Sequence, residues 1–130
     1  MTGRVVHFEI PFDDGDRARG FYRDIFGWQI ETVSGFDYSF VATGPSSPDQ
    51  GPTEPGYIGG GMMQREGPID KPVITIDTTD IDATLEKVGA AGGATVLGKT
   101  EIGQDMGFTA YITDTEGNLI GLYQSARKGG

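Results

Sequence analysis

Hydrophobic and polar positions alternate at the start of the chain, over residues 4–12. A period of two is typical of a strand whose two faces differ in polarity, so this segment is predicted to be a strand. Its apolar face carries Val6, Phe8 and Ile10. His7 and Glu9 are therefore expected on the opposite face.

A helix is predicted directly after this strand. Asp13 and Asp14 offer a turn and an N-cap. Gly15 and Asp16 then open the helix. Five apolar residues follow the i, i+3, i+4, i+7, i+8 spacing of a buried stripe: Ala18, Phe21, Tyr22, Ile25 and Phe26. Gly27 suits the C′ position and is expected to end the helix.

Three further predictions complete the first half of the chain. Residues 28–33 and 38–43 are predicted to form a hairpin around Ser34-Gly35. Residues 44–56 are dense in Pro, Ser, Gly and acidic residues, which favours a solvent-facing loop. Residues 57–64 contain three consecutive glycines and are predicted to be a strand that a backbone or a ligand approaches closely.

The same order of elements repeats in the second half of the chain. A strand, a helix and three strands are predicted over residues 73–78, 80–91, 94–97, 108–113 and 119–124. A shift of 66 positions places Phe8 on Ile74 and Gly27 on Gly93. We therefore predict an α+β fold of two βαβββ modules, in which curved mixed sheets form a cleft and the helices lie outside.

Size and charge narrow the function. The chain has 130 residues and a mass of 13.8 kDa, which suit one domain over residues 1–130. Its formal net charge of −9 opposes electrostatic binding, so neither nucleic acid nor a membrane surface is an expected partner. The absence of cysteine excludes disulfides and thiolate metal sites. Because no leader pattern and no membrane-spanning apolar run is present, a cytoplasmic location is expected.

Four short motifs resemble the vicinal oxygen chelate superfamily of glyoxalases, bleomycin-resistance proteins and dioxygenases. They are residues 7–11 (His-Phe-Glu-Ile-Pro), 21–28 (Phe-Tyr-Arg-Asp-Ile-Phe-Gly-Trp), 80–83 (Asp-Ile-Asp-Ala) and 114–118 (Asp-Thr-Glu-Gly-Asn). The resemblance implies one domain built of module 1, at about residues 4–66, and module 2, at about residues 72–125. It indicates the fold but not the reaction, because the superfamily also includes epimerases and drug-sequestering proteins.

The resemblance also implies where a metal ion would be held. In metal-using members, the first and last strands of each module each supply one ligand. His7 matches the first of these positions, but the other three positions are occupied by Val73, Gly59 and Gly121. A mononuclear site commonly needs three or more protein ligands, so no metal and no other cofactor is expected. A site built from His7, Glu9 and a neighbouring carboxylate is the alternative.

His7 and Glu9 are the candidate catalytic residues. His7, the one histidine of the chain, either serves acid–base chemistry or ligand binding, or is a relic satisfied by Glu9 or water. Glu9 either orients His7 or contacts a ligand, unless it pairs with Arg4 or Arg65. Four residues are candidates for ligand binding, with core packing as the alternative for each: Met63, Phe108, Tyr111 and Tyr123.

Three functions fit these residues. The first is a binding module that captures a small organic molecule in the cleft without a metal. The second is a metal-free isomerase, epimerase or lyase that uses His7 and Glu9 for proton transfer. The third is a metal-dependent lyase or dioxygenase. A homodimer is expected, since two-module members of the superfamily usually dimerise and exposed sheet edges favour association.

Overall fold

The computed structural model divides the chain into two compact units. The first unit comprises Val6–Val73, and the second combines Met1–Val5 with Ile74–Gly130. The structure describes residues 3–32, 38–47, 51–103 and 105–126. The turn predicted at Ser34-Gly35 lies outside the described residues.

The first unit, within the described residues, contains one helix and six strands. In chain order its elements are β1 (Val5–Phe12), α1 (Gly15–Phe26), β2 (Gln29–Thr32), β3 (Tyr38–Ala42), β4 (Ser46–Ser47), β5 (Gly51–Pro52) and β6 (Gly59–Gln64). The main sheet has the order β2-β3-β6-β1, in which β1 and β6 are parallel and the other neighbours antiparallel. Strands β4 and β5 form a small hairpin, so the segment predicted as a plain loop carries short strands.

Helix α1 begins and ends where the sequence predicts. The Asp14 side chain accepts a hydrogen bond from the Arg17 backbone N–H at 3.1 Å, which satisfies one of the unpaired donors of the first turn. Gly27 has a φ of 71° and donates its N–H to the Arg23 carbonyl. A left-handed residue at this position favours glycine and ends the helix.

The predicted buried stripe of α1 is correct only at its centre. Ala18 and Tyr22 pack against the core of the first unit. The prediction is wrong for the three other members, which are 54%, 62% and 59% exposed: Phe21, Ile25 and Phe26. Trp28, beyond the helix, stacks on Tyr22 with ring centroids 4.6 Å apart and joins the core in their place. The sheet therefore covers a narrower strip of the helix than the apolar pattern suggests.

The second unit repeats the order of the first. Its elements are β7 (Val73–Asp77), α2 (Ile81–Ala90), β8 (Ala94–Glu101), β9 (Phe108–Thr113) and β10 (Leu119–Gln124), and its strands are ordered β7-β10-β9-β8. Asp80 caps α2 by accepting from the Ala83 N–H at 3.1 Å. The buried core under α2 consists of Ile81, Ala110, Ile112 and Leu122.

Strand β8 is longer than its sequence pattern predicts. The apolar alternation stops at Leu97, whereas the strand continues to Glu101. Every residue of β8 is exposed, and its pairing with β9 shifts register twice. Backbone hydrogen bonds to β9 extend the strand without an apolar face, so the side-chain pattern does not mark its end.

These observations confirm the predicted fold class. Each unit runs strand, helix and then three principal strands, which are the two βαβββ modules of an α+β fold. Neither helix of the described residues is long and apolar enough to cross a membrane.

Candidate functional site

Strand β1 has one face packed against α1 and one face that carries its polar side chains. Three residues of β1 belong to the core cluster on the α1 side: Phe8, Ile10 and Phe12. They pack with Ala18 and Tyr22 of α1. Because successive side chains of a strand point to opposite faces, His7 and Glu9 lie on the side away from α1, as predicted.

Tyr38 of β3 reaches both polar side chains of β1. Its Oη lies 2.8 Å from His7 Nε2 and donates a hydrogen bond to Glu9 Oε2 at 3.1 Å. The phenol and imidazole planes are 13° from parallel. One phenol thus joins the two residues that the sequence singled out. We call this side of the first-unit sheet the His7 face.

A glycine of β6 makes this crossing possible. Strand β6 lies between β3 and β1, and Gly61 pairs in register with Phe40 on one side and Glu9 on the other. A Cβ atom at Gly61 would lie 1.8 Å from Tyr38 Oη and 2.0 Å from Cζ. Only a residue without a side chain leaves room for the phenol above the strand. A close approach is found at Gly61, but it is made by the tyrosine ring of the chain itself and not by the backbone or ligand that the sequence predicts.

Burial decides the charge of the His7 imidazole. Glu9 is buried, at 8% exposure, and His7 is partly buried beside it. Desolvation by this burial lowers the pKa of His7 from 6.5 to about 4. The imidazole is therefore neutral at neutral pH, and it acts as a hydrogen-bonding group rather than as a cation.

The likeness to known proteins extends along nearly the whole chain. Residues 4–44 match a family model described as bleomycin resistance protein-like N-terminal. A glyoxylase-like domain-containing protein of Didymella fabae is 32% identical over 122 residues, which cover 91% of each chain. The chain belongs to the glyoxalase/bleomycin-resistance superfamily. CFP32 of Mycobacterium bovis, named as a glyoxylase, is also 32% identical, but this chain spans only 44% of its length.

Solved structures of other proteins share the fold of this glyoxalase-like chain. Streptomyces coelicolor methylmalonyl-CoA epimerase superimposes with a TM-score of 0.67 at 17% identity, covering 98% of this chain and 100% of the epimerase. A glyoxalase/bleomycin resistance protein/dioxygenase superfamily member from Vibrio splendidus gives 0.59 at 16% identity, covering 95% and 98%. At these identities the likeness concerns the fold alone.

The four positions at which the superfamily implies metal ligands do not carry a set of metal-binding side chains here. His7 pairs in register with Gly59, and its Nε2 is engaged by Tyr38. In the second unit, Thr75 rather than Val73 pairs with Gly121, because β7 is shifted by two residues from the alignment of the repeats. Nowhere in the described ranges do three or more His, Cys, Asp or Glu side chains converge as metal ligands. The residues present do not fit the superfamily's metal ion.

The predicted ligand-binding residues of this glyoxalase-like chain fall into three places. Met63 pairs in register with Tyr38, so it lies on the His7 face. In the second unit, Tyr111 pairs with Gly121 on the side away from α2, and the Tyr123 hydroxyl, also on that side, donates to the Met106 carbonyl at 2.7 Å. Phe108 instead packs on the α2 side of the sheet, where the Lys99 amine lies 4.5 Å from its ring centroid. It therefore lies on the opposite face of the sheet from Tyr111 and Tyr123.

Tyr38 is the site residue that sequence reasoning missed. Tyr38 is the first residue of β3 and lies 31 positions after His7 in the chain. Nothing in the pattern of its neighbours distinguishes it from an aromatic residue of the core. The available signal was the run of three glycines that begins β6, because strand positions without side chains leave space that a neighbouring ring can fill. The partners considered for Glu9 did not include this phenol; Arg65 bonds Asp13 at 3.0 Å instead.

Proposed function

We propose that this glyoxalase-like domain binds a small organic molecule on the His7 face without a metal ion. The observation that carries the proposal is the contact of the Tyr38 phenol with His7 Nε2, a nitrogen that a metal-using relative needs free for an ion. The same phenol donates to Glu9 Oε2. Two apolar side chains flank these polar groups: Met63 and Phe40, the latter 41% exposed. A few polar groups beside apolar surface are typical of a small-molecule site.

Binding fits the electrostatics of the His7 face better than proton transfer by His7. A general base works best when its pKa lies near the operating pH. The pKa of His7, lowered by burial to about 4, makes the imidazole a weak base at neutral pH. A neutral imidazole and a phenol, in contrast, both orient a ligand through hydrogen bonds.

Removing the Tyr38 hydroxyl is expected to weaken ligand binding without unfolding the protein. Ligands are found by thermal-shift screening of organic molecules in EDTA, with bleomycin and methylmalonyl-CoA included, and are then titrated calorimetrically. Tyr38→Phe should raise the Kd about 2- to 10-fold, which corresponds to the net loss of one hydrogen bond. Tyr57→Phe is the matched control, because it removes a hydroxyl that donates to the Pro45 carbonyl and not to His7 or Glu9.

Two results would contradict this proposal. If the screen in EDTA finds no ligand, but a molecule binds once one divalent ion is added, the result would assign the third function, a metal-dependent lyase or dioxygenase. Turnover of a screened molecule that is lost in His7→Gln would assign an enzyme instead of a binding module.

A metal-free isomerase or lyase is the second candidate function. The observation that favours it is the hydrogen-bonded chain from buried Glu9 through Tyr38 to His7, since such a chain is able to relay a proton. Methylmalonyl-CoA in deuterium oxide is a suitable probe, because it is the substrate named for the structural neighbour. Incorporation of deuterium that Glu9→Gln abolishes would support this candidate.

We also propose that the protein forms a homodimer through the outer side of α1. Phe21, Ile25 and Phe26 are more than half exposed, and Phe21 and Phe26 are in edge contact with ring centroids 6.3 Å apart. An exposed apolar cluster of this kind is typical of an association surface.

The dimer is tested by light scattering after gel filtration. Light scattering of the wild type should give twice the monomer mass. The control Lys87→Glu, which changes an exposed residue of α2, should give the same mass. Ile25→Glu should shift the protein to the monomer, because it places a charge in the apolar contact. A monomeric wild type at high micromolar concentration would rule the proposal out.

A further inference from the structure

We propose that Tyr38 is a positioning residue that holds His7 in the tautomer protonated on Nε2, so that Nδ1 is the acceptor offered to a ligand. The His7 face would then select molecules that carry an N–H or O–H donor. The selection rests on the proposed function, because it needs a ligand on this face. The tautomer does not, since it follows from contacts within the first unit alone.

The proton count along the chain of hydrogen bonds determines the tautomer. A phenol has a single hydroxyl hydrogen, and Tyr38 donates it to Glu9 Oε2 at 3.1 Å. The contact of 2.8 Å between Tyr38 Oη and His7 Nε2 must then be donated by the imidazole. A neutral imidazole carries one N–H, so when Nε2 is the donor, Nδ1 holds the lone pair.

The surroundings keep this arrangement in place. The Tyr38 ring occupies the space over Gly61, and a displacement of the hydroxyl along β6 is limited by its two partners on β1. Phe40 lies 5.4 Å from the Tyr38 ring centroid in an edge contact at 71°. The hydroxyl is thus held by packing as well as by hydrogen bonds, which is what a positioning group requires.

A ligand donor is the chemistry that complements an imidazole lone pair. A molecule with only carbonyl or ether oxygens would place two acceptors against each other and leave Nδ1 unpaired. Sites built to hydrogen-bond one group reject isosteres that lack it, because a buried polar atom then loses its partner. Phe40 and Met63 favour an aromatic body behind the donor.

The tautomer is measurable directly because His7 is the one histidine of the chain. Two-bond proton–nitrogen NMR of the protein labelled with 15N at pH 7 reports each ring nitrogen separately. Wild type should show Nε2 as the protonated nitrogen and Nδ1 as the unprotonated one. In Tyr38→Phe the two nitrogen shifts should move toward each other, because neither tautomer is then held.

Two further variants separate positioning from a general structural effect. Glu9→Gln replaces an acceptor by an amide that also donates, so the Tyr38 hydroxyl can turn to Nε2 and the form protonated on Nδ1 should become populated. Tyr57→Phe should leave both nitrogen shifts unchanged. Protonation on Nδ1 in wild type, or unchanged shifts in folded Tyr38→Phe and Glu9→Gln, would overturn the assignment of Tyr38.

The donor preference is tested with indole and 1-methylindole, which share an aromatic body and differ in the N–H. At equal millimolar concentrations, indole should shift the His7 Nδ1 resonance and 1-methylindole should leave it in place. Equal shifts, or none with either probe, would overturn the donor preference while leaving the tautomer result intact. Failure of the proposed function is distinguishable, because it would appear as no ligand from the thermal-shift screen.

Discussion

Replacing Gly61 with alanine is expected to lower the free energy of unfolding by about 2 to 4 kcal/mol. The new Cβ would stand 1.8 Å from Tyr38 Oη and 2.0 Å from its Cζ, so the ring has to leave its place over β6. Its departure breaks the bonds to His7 and Glu9 and leaves a buried carboxylate without its phenol donor. A buried polar group that loses a partner is among the costly consequences of a single substitution.

Urea denaturation of matched glycine variants measures this effect. Gly98→Ala is the control, since Gly98 also lies in a strand and its Cβ would meet nothing within 4 Å. It should change stability by less than about 0.5 kcal/mol. In a Tyr38→Ala background, Gly61→Ala should likewise cost little, because the ring that clashes is gone. A large cost that persists without the tyrosine ring would mean that Gly61 is required for another reason.

Acidification is expected to destabilise the protein through His7. The imidazole has a pKa of about 4 in the folded state and 6.5 when unfolded, so between these values the unfolded state binds more protons. Stability therefore falls as the pH falls from 6.5 toward 4, and the His7 contribution is absent above this window. The full shift corresponds to a loss of about 3 kcal/mol, of which about 2 kcal/mol is reached by pH 5.

The measurement compares the wild type with His7→Gln between pH 7 and pH 5. Other titrating groups are common to both proteins, so the difference between their unfolding free energies isolates the imidazole. The wild type should lose about 2 kcal/mol more than the variant over this range. Parallel pH profiles would show that the imidazole is protonated as easily in the folded protein as in the unfolded chain.

The absence of metal-binding side chains is the part of the candidate site that residue identity alone predicts. Glycine at positions 59 and 121 already removes two donors from the superfamily's set, and no folding can restore them. What the sequence did not reveal is that Tyr38 engages the remaining imidazole nitrogen. The missing donors follow from residue identity. The contact between Tyr38 and His7 depends instead on the strand order, in which β3 lies next but one to β1.

Local patterns in the sequence determined the two modules, their helix caps and the faces of β1. Each of these features depends on residues within a few positions of one another: Asp14 caps α1 through Arg17, and alternation alone places His7 and Glu9 together. The tertiary structure decided the site itself. Tyr38 meets His7 across 31 positions of chain, and the meeting requires both the strand order and the bare backbone of Gly61 between them. Register between distant strands is set by packing of the whole unit, so a local pattern does not encode it.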